Sequence, residues 1–208
     1  MAHYDLEEQE QIDTLKTWWK MYGNLVTGVV VAASLGVIGW QGWNWYQRNQ
    51  VAQASAIYGV LEQAVATNDV QKTKAAAGEL AEKYGRTGYA ALGALLAAKQ
   101  SFEAGDLKTA RVQLTWATEN ARDELRDLAR LRLAAVLLDD KAFDEALKQL
   151  DAAHAAAFDA RFLEMKGDVL VAQGKKPEAR AAYKAALDKG GAGRELLRQK
   201  LDNLGESA

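Results

Sequence analysis

Apolar and polar positions follow two different patterns along this chain. Between Lys20 and Arg48 no side chain is charged. That uncharged run exceeds the roughly 20 residues a helix needs to cross hydrocarbon at about 1.5 Å per residue. Its centre, Leu25 to Trp40, is Val, Ala, Ile, Leu and Gly, with Thr27 and Ser34 as the polar interruptions. A helix tolerates such hydroxyls because they bond back to the preceding turn. Aromatic residues flank the run: Trp18, Trp19 and Tyr22 before it, and Trp40, Trp43, Trp45 and Tyr46 at its end. Trp19 to Trp40 spans roughly 30 Å as helix, and rings at both headgroup levels suit a membrane anchor.

Two other readings of the run compete. A buried core helix would carry a polar face, and the middle of this run has none. A removable signal sequence finds an Ala-x-Ala in "VAQAS" at 51–55, but that site lies far beyond the apolar centre. The leader is also acidic, with Asp5, Glu7, Glu8, Glu10 and Asp13 against Lys16 and Lys20. The pattern predicts a single transmembrane helix over 23–46, preceded by a leader over 1–22. In the leader Ile12, Leu15, Trp19 and Tyr22 share one helical stripe. That is the arrangement of an amphipathic helix that enters the membrane or docks on a partner.

After Arg48 the chain becomes Ala-rich and charged, broken by short turns. "FEAGDLKTARVQL" at 102–114, "LDDKAFDEALKQL" at 138–150 and "VAQGKKPEARAAY" at 171–183 each read as helix end, turn and helix start. They share an alanine (Ala110, Ala146, Ala179), a large residue four positions on (Leu114, Leu150, Tyr183) and a small one twelve before (Ala98, Ala134, Gly167). A weaker copy in "VATNDVQKTKAAAGEL" places Ala76, Leu80 and Ala64 in the same roles. The aligned alanines step by 34, 36 and 33 residues, near the tetratricopeptide period of about 34. Small residues let two antiparallel helices approach, and the large one fills toward the next pair. Pro177 suits a first helical turn. The proline usual at a repeat end is absent, with Gly88 and Gly191 nearest those places. A helical bundle with chance periodicity is the competing architecture. The expected fold is all-α: one N-terminal transmembrane helix, then a tetratricopeptide-like α-solenoid over 47–208.

Composition narrows the function. The chain of 208 residues has one proline and no cysteine, so disulfides, thiolate metal sites and a cysteine nucleophile are excluded. A formal net charge of -2 does not point to a polyanionic partner, so nucleic acid is not expected. His3 and His154 have no second ligand at metal spacing. "GVIGWQG" at 36–42 lies inside the apolar run rather than after a strand. Asp139 with Asp140, and Glu7 with Glu8, read as solvated helix charges. No cofactor, metal or catalytic residue is expected, and the chain reads as no enzyme.

Binding surfaces remain. Gly28, Ala32 and Gly36 recur every four residues, a spacing that lets membrane helices pack closely, although small residues are common in such helices anyway. In a repeat array the first helix of each pair supplies the binding face. By position that face offers Leu92, Leu95, Lys99, Phe102, Leu128, Leu131, Ala135 and Leu138, several of which serve equally well as core. Lys16, Lys20 and the initial amine, against Arg48 alone on the far side, favour an N-in, C-out orientation. In a bacterium that puts the repeat domain in the periplasm, where lack of cysteine avoids oxidation.

"YDLEEQEQIDTLKTWWKMYGN", the helix ending "GWNWYQRNQ" and "GYAALGALLAAKQSFEAGDLKTARVQLTWATEN" together resemble the ancillary SecYEG translocon subunit family, the YfgM-like proteins of Gram-negative bacteria. The resemblance implies a single-pass inner-membrane protein with a cytoplasmic leader and a periplasmic repeat domain. It also implies association with the SecYEG channel and a membrane-anchored periplasmic chaperone of the prolyl-isomerase type, and assistance to exported nascent chains. A membrane-anchored scaffold or regulator for another envelope complex is the alternative.

Overall fold

The computed structural model describes residues 6–190 and 193–205, with side chains from Glu10 onward. His3, Asp5, Gly191 and the side chains of Glu7 and Glu8 lie outside the described residues. The described chain is helical, without strands. It forms two units, one ending at Asn49 and one beginning at Gln50.

The first unit belongs to α1 (Leu6–Ala66). Ser34 donates its hydroxyl to the Val30 carbonyl at 2.8 Å, the back-bond expected of a hydroxyl in an apolar helix. Only 6 % of the most apolar stretch is buried by protein. Leu25, Ile38 and Trp40 are each about two-thirds exposed, unlike the residues of a buried core helix. Trp18 lies against Tyr22 and Trp43 against Tyr46, ring centroids 5.8 and 6.1 Å apart. The helix is therefore long and apolar enough to cross a membrane.

The second unit uses the end of α1 with α2 (Val70–Tyr84), α3 (Gly88–Glu103), α4 (Leu107–Asn120), α5 (Asp123–Asp139), α6 (Phe143–Leu150), α7 (Asp159–Ala172), α8 (Lys176–Asp188) and α9 (Arg194–Asn203). They make four helix pairs, α1/α2, α3/α4, α5/α6 and α7/α8, closed by α9. The turn inside every pair has one design. Asn68, Gly105, Lys141 and Gly174 adopt positive φ of 53°, 78°, 58° and 77°. The next residue, Asp69, Asp106, Ala142 or Lys175, donates its N–H five residues back, to Ala64, Ser101, Leu137 or Leu170, at 2.8–2.9 Å. This is the Schellman arrangement that satisfies carbonyls at a helix end. Asp69 and Asp106 then cap the following helix, accepting from the N–H of Lys72 and Thr109 at 3.0 Å.

Counted from those turns, Ala110, Ala146 and Ala179 are equivalent and fully buried. Leu114, Leu150 and Tyr183, the expected large partners, are buried behind them. The first pair departs from the expected register. The turn at Asn68 puts Thr73 and Ala77, not Ala76 and Leu80, at the equivalent positions, a shift of three residues. Thr73 is buried, and its hydroxyl donates to the Asp69 carbonyl at 2.9 Å. Because Ala76 and Leu80 face the same core one turn on, apolar spacing alone does not separate the two registers.

The core is a row of clusters rather than one centre. The end of α1 joins α2 and α3 through Ala54, Leu61, Ala77, Leu80 and Ala90. A larger cluster runs from α3 to α7 through Leu114, Leu133, Leu137 and Phe162. Smaller ones join α7, α8 and α9 through Leu170, Ala182, Tyr183 and Leu197. Each pair thus buries its apolar face on its neighbours, the physical basis of a repeat array. The "VAQAS" stretch is helical, and Ala54 within it belongs to the first of these clusters.

Candidate interaction surface

First helices also touch each other directly, α3 with α5 and α5 with α7, so they form one continuous face. Between α3 and α5 this face opens into a recess of about 260 Å³, lined by Ala98, Lys99, Phe102, Leu114, Arg132, Ala135 and Val136. Helical periodicity builds it: Ala98 and Phe102 are one turn apart on α3, and Arg132, Ala135 and Val136 are one turn of α5. Alanines at 98 and 135 create the space, since larger side chains there would fill it.

Of the residues expected on this face, the recess brings together Lys99, Phe102 and Ala135. Phe102 is exposed and Lys99 more so. Leu95 and Leu131 are buried in the main core instead. Leu128 and Leu138 are half-buried against that core, and Leu92 is half-buried on α3. Arg132 lies beyond the sequence expectations. Its signal was available, because it stands on one stripe with Leu128 and Ala135 at spacings of four and three. Its Nη1 donates to the Leu95 carbonyl at 3.3 Å.

Lys99 Nζ lies 3.6 Å from Glu103, with both side chains well exposed, so this pair holds the ammonium weakly. The opposite, second-helix side carries a cation with strong partners. There Arg111 reaches Glu145 at 2.6 Å and Asp140 at 3.5 Å, which places Asp140 in an ion pair across helix pairs.

His154 plays a structural part. It stacks on Phe162 with ring centroids 3.9 Å apart and faces Asp159 at 3.3 Å. Beside it the buried Asp127 accepts the Ala155 N–H at 2.9 Å, and Arg130 donates to the Ala153 carbonyl. These contacts pin the loop that follows the short α6. Among the described residues no cluster of three or more metal-ligating side chains occurs.

At the C-terminal end, Lys200 Nζ bonds Glu164 at 2.8 Å and both Asp168 oxygens at 2.8 and 2.9 Å, while Tyr183 donates to Asp168 at 2.6 Å. Burial first, then the hydrogen bond to Asp168, raises the Tyr183 hydroxyl above its ordinary range. Burial of Lys200 works to lower its ammonium, but the hydrogen bonds to Asp168 and Glu164 outweigh it and the net displacement is upward. The cluster fastens α9 to α7 and α8.

In the first unit, Gly28 and Gly36 have open space where a Cβ would point, and Ala32 between them is exposed. Gly23 differs, since a Cβ there would meet the Trp19 indole at 3.1 Å.

Comparison with known proteins gives this architecture its relatives. The family described as a tetratricopeptide repeat-like domain matches residues 16–206. Proteins named "Ancillary SecYEG translocon subunit" align along almost their whole length. The Haemophilus influenzae protein is 33 % identical, covering 97 % of this chain and 99 % of its own. The Neisseria gonorrhoeae protein is 35 % identical over 96 % and 98 %, and the Escherichia coli protein 31 % identical over 95 % and 96 %. No solved structure matches the chain. With the uncovered apolar helix and the four helix pairs already in place, these full-length likenesses show that the chain belongs to the tetratricopeptide repeat-like family of ancillary SecYEG translocon subunits.

Proposed function

We propose that this chain is a non-enzymatic accessory subunit of the SecYEG translocon, anchored by one membrane helix. The observation that carries the reading is the full-length likeness to proteins of that name, which includes the long apolar helix. Residues 1–22 form a cytoplasmic leader, 23–46 cross the inner membrane, and 47–208 stand in the periplasm. The charge asymmetry of Lys16 and Lys20 against Arg48 supports that orientation. Gly28, Ala32 and Gly36 offer a close-packing face to another membrane helix. The first-helix face meets a membrane-anchored prolyl-isomerase-type chaperone or an emerging exported chain.

Tethering explains how a small recess suffices. Confinement beside the channel raises effective concentration, so that contacts too weak to hold free partners become occupied. The test is photocrosslinking in cells from a photoreactive residue at Gly36, followed by mass identification of the captured proteins. Channel or chaperone subunits are expected. Capture of an unrelated envelope protein alone, with normal insertion, would reject the translocon reading in favour of a scaffold for another complex.

A further inference from the structure

We infer that the recess between α3 and α5 takes an acidic polypeptide segment, which inserts one large apolar side chain and sets a carboxylate against Lys99 and Arg132. This deepens the accessory-subunit reading and rests on it for the expectation that the ligand is a protein segment. The lining supplies the chemistry. Ala98, Phe102, Leu114, Ala135 and Val136 make the walls apolar, and the charged lining residues, Lys99 and Arg132, are both cations. At about 260 Å³ the space exceeds the roughly 150 Å³ of an apolar cavity that takes up benzene. One large side chain therefore fits.

Neither cation has a buried carboxylate partner at the recess. Lys99 has only its distant, exposed contact with Glu103, worth little against solvent. Arg132 spends one bond on the Leu95 carbonyl and has no carboxylate at ion-pair distance among the described residues. A guanidinium offers five donors in a fork that matches a carboxylate. In a chain of net charge -2, two cations beside an apolar recess without a lining acid call for an occupant that brings its own carboxylate. The second-helix side differs, because Arg111 already has Glu145 and Asp140.

The experiment uses the full chain in nanodiscs of zwitterionic phosphatidylcholine, which does not attract a cationic peptide by its net charge. Fluorescence anisotropy follows a labelled peptide, Ser-Glu-Leu-Phe-Glu-Ser-Gly, and two counterparts, one with Lys replacing both Glu and one with Ala replacing Leu and Phe. The acidic apolar peptide is expected to bind at least about tenfold more tightly than either counterpart, with affinity falling as salt rises. Lys99→Glu and, separately, Ala135→Met are each expected to weaken it about tenfold or more. Lys99 is exposed, so its variant decides the matter if Ala135→Met does not fold.

Equal affinity for the lysine peptide, no saturation by the acidic peptide up to about 1 mM, or binding unchanged in Lys99→Glu would each overturn the inference. So would concentration-dependent self-association that Ala135→Met abolishes, because the occupant would then be a second copy. Co-purification of channel subunits with the tagged chain reports on the translocon association separately, and it is unaffected by any of these peptide outcomes.

Discussion

Lys141 stands in the left-handed region at φ 58° where two of the four equivalent turns use glycine. A side chain there costs about 1–2 kcal/mol in backbone strain, offset in part by the greater chain freedom that glycine would lose. Lys141→Gly is therefore expected to stabilise the repeat unit by about 0.5–1 kcal/mol, read as a higher midpoint in urea. Gly167 makes the opposite case. A Cβ at that position would overlap the Tyr183 ring, and the ring cannot retreat easily because it is buried and its hydroxyl is tied to Asp168 at 2.6 Å. Gly167→Ala should cost about 1–3 kcal/mol by overpacking; an unchanged midpoint would show that the helices separate without penalty. The sequence marked Gly167 as the small member of its repeat, because its counterparts are Ala98 and Ala134. That it has to be glycine follows only from the partner being a tyrosine rather than a leucine.

At the scale of elements, α9 is held by a charge cluster as well as by apolar packing. It brings the buried Leu197 together with Lys200, whose ammonium bonds Asp168 and Glu164. Removing it as Lys200→Ala leaves two neighbouring carboxylates of α7 without their cation and should cost about 2 kcal/mol. The pH dependence follows from the same contacts. Lys200 and Tyr183 both titrate above their ordinary values in the fold. Each therefore contributes stability that is complete below its unfolded value of about 10 and is lost as pH rises through the folded one. Thermal melts should be insensitive to these two groups between about pH 7 and 9 and fall above about pH 10.5, and Lys200→Ala should flatten part of that fall. The acids Asp69 and Asp106 act in the other direction. A hydrogen bond from the Lys72 N–H lowers the Asp69 carboxyl, and those from the Thr109 side chain and then its N–H lower that of Asp106, so their caps are lost as pH falls through the folded values.

Some elements carry a local signal in the sequence and others do not. The turns at Gly105, Lys141 and Gly174 lay where the spacing of Ala110, Ala146 and Ala179 put them. In α2 the same reading slipped by three residues, because Thr73, Ala76, Ala77 and Leu80 are all buried on one face. Apolar periodicity fixes a face but not a starting point, and only the turn at Asn68 sets the register. The loop that follows α6, held by Asp127, Arg130 and His154, has no local signal, since Asp127 pairs with a backbone group far along the chain.

For the whole molecule, the uncovered helix dictates behaviour in water. A stretch with Leu25, Val29, Leu35 and Ile38 exposed all round has to be taken up by lipid or detergent, at roughly 25 cal/mol per Å² of apolar surface removed from water. The full chain should remain with membranes in alkaline carbonate washing, whereas a variant lacking residues 1–46 should appear in the soluble fraction with its helical circular dichroism intact. Release of the full chain by carbonate would contradict a spanning helix.

What the sequence alone determined was the membrane-spanning candidate, the helical class and the repeat period. Each is a one-dimensional property: the length of an uncharged run, the propensity of Ala-rich segments, and the recurrence of small and large residues at fixed spacing. What only the tertiary structure decided was which of the first-helix residues remain accessible. Leu95 and Leu131 share a helical face with Lys99 and Ala135 yet lie in the core, and Arg132 joins the recess beside them. Position along a helix specifies a direction, whereas exposure depends on how closely α3 approaches α5, and that distance is set by side chains on both helices and on α4 behind them.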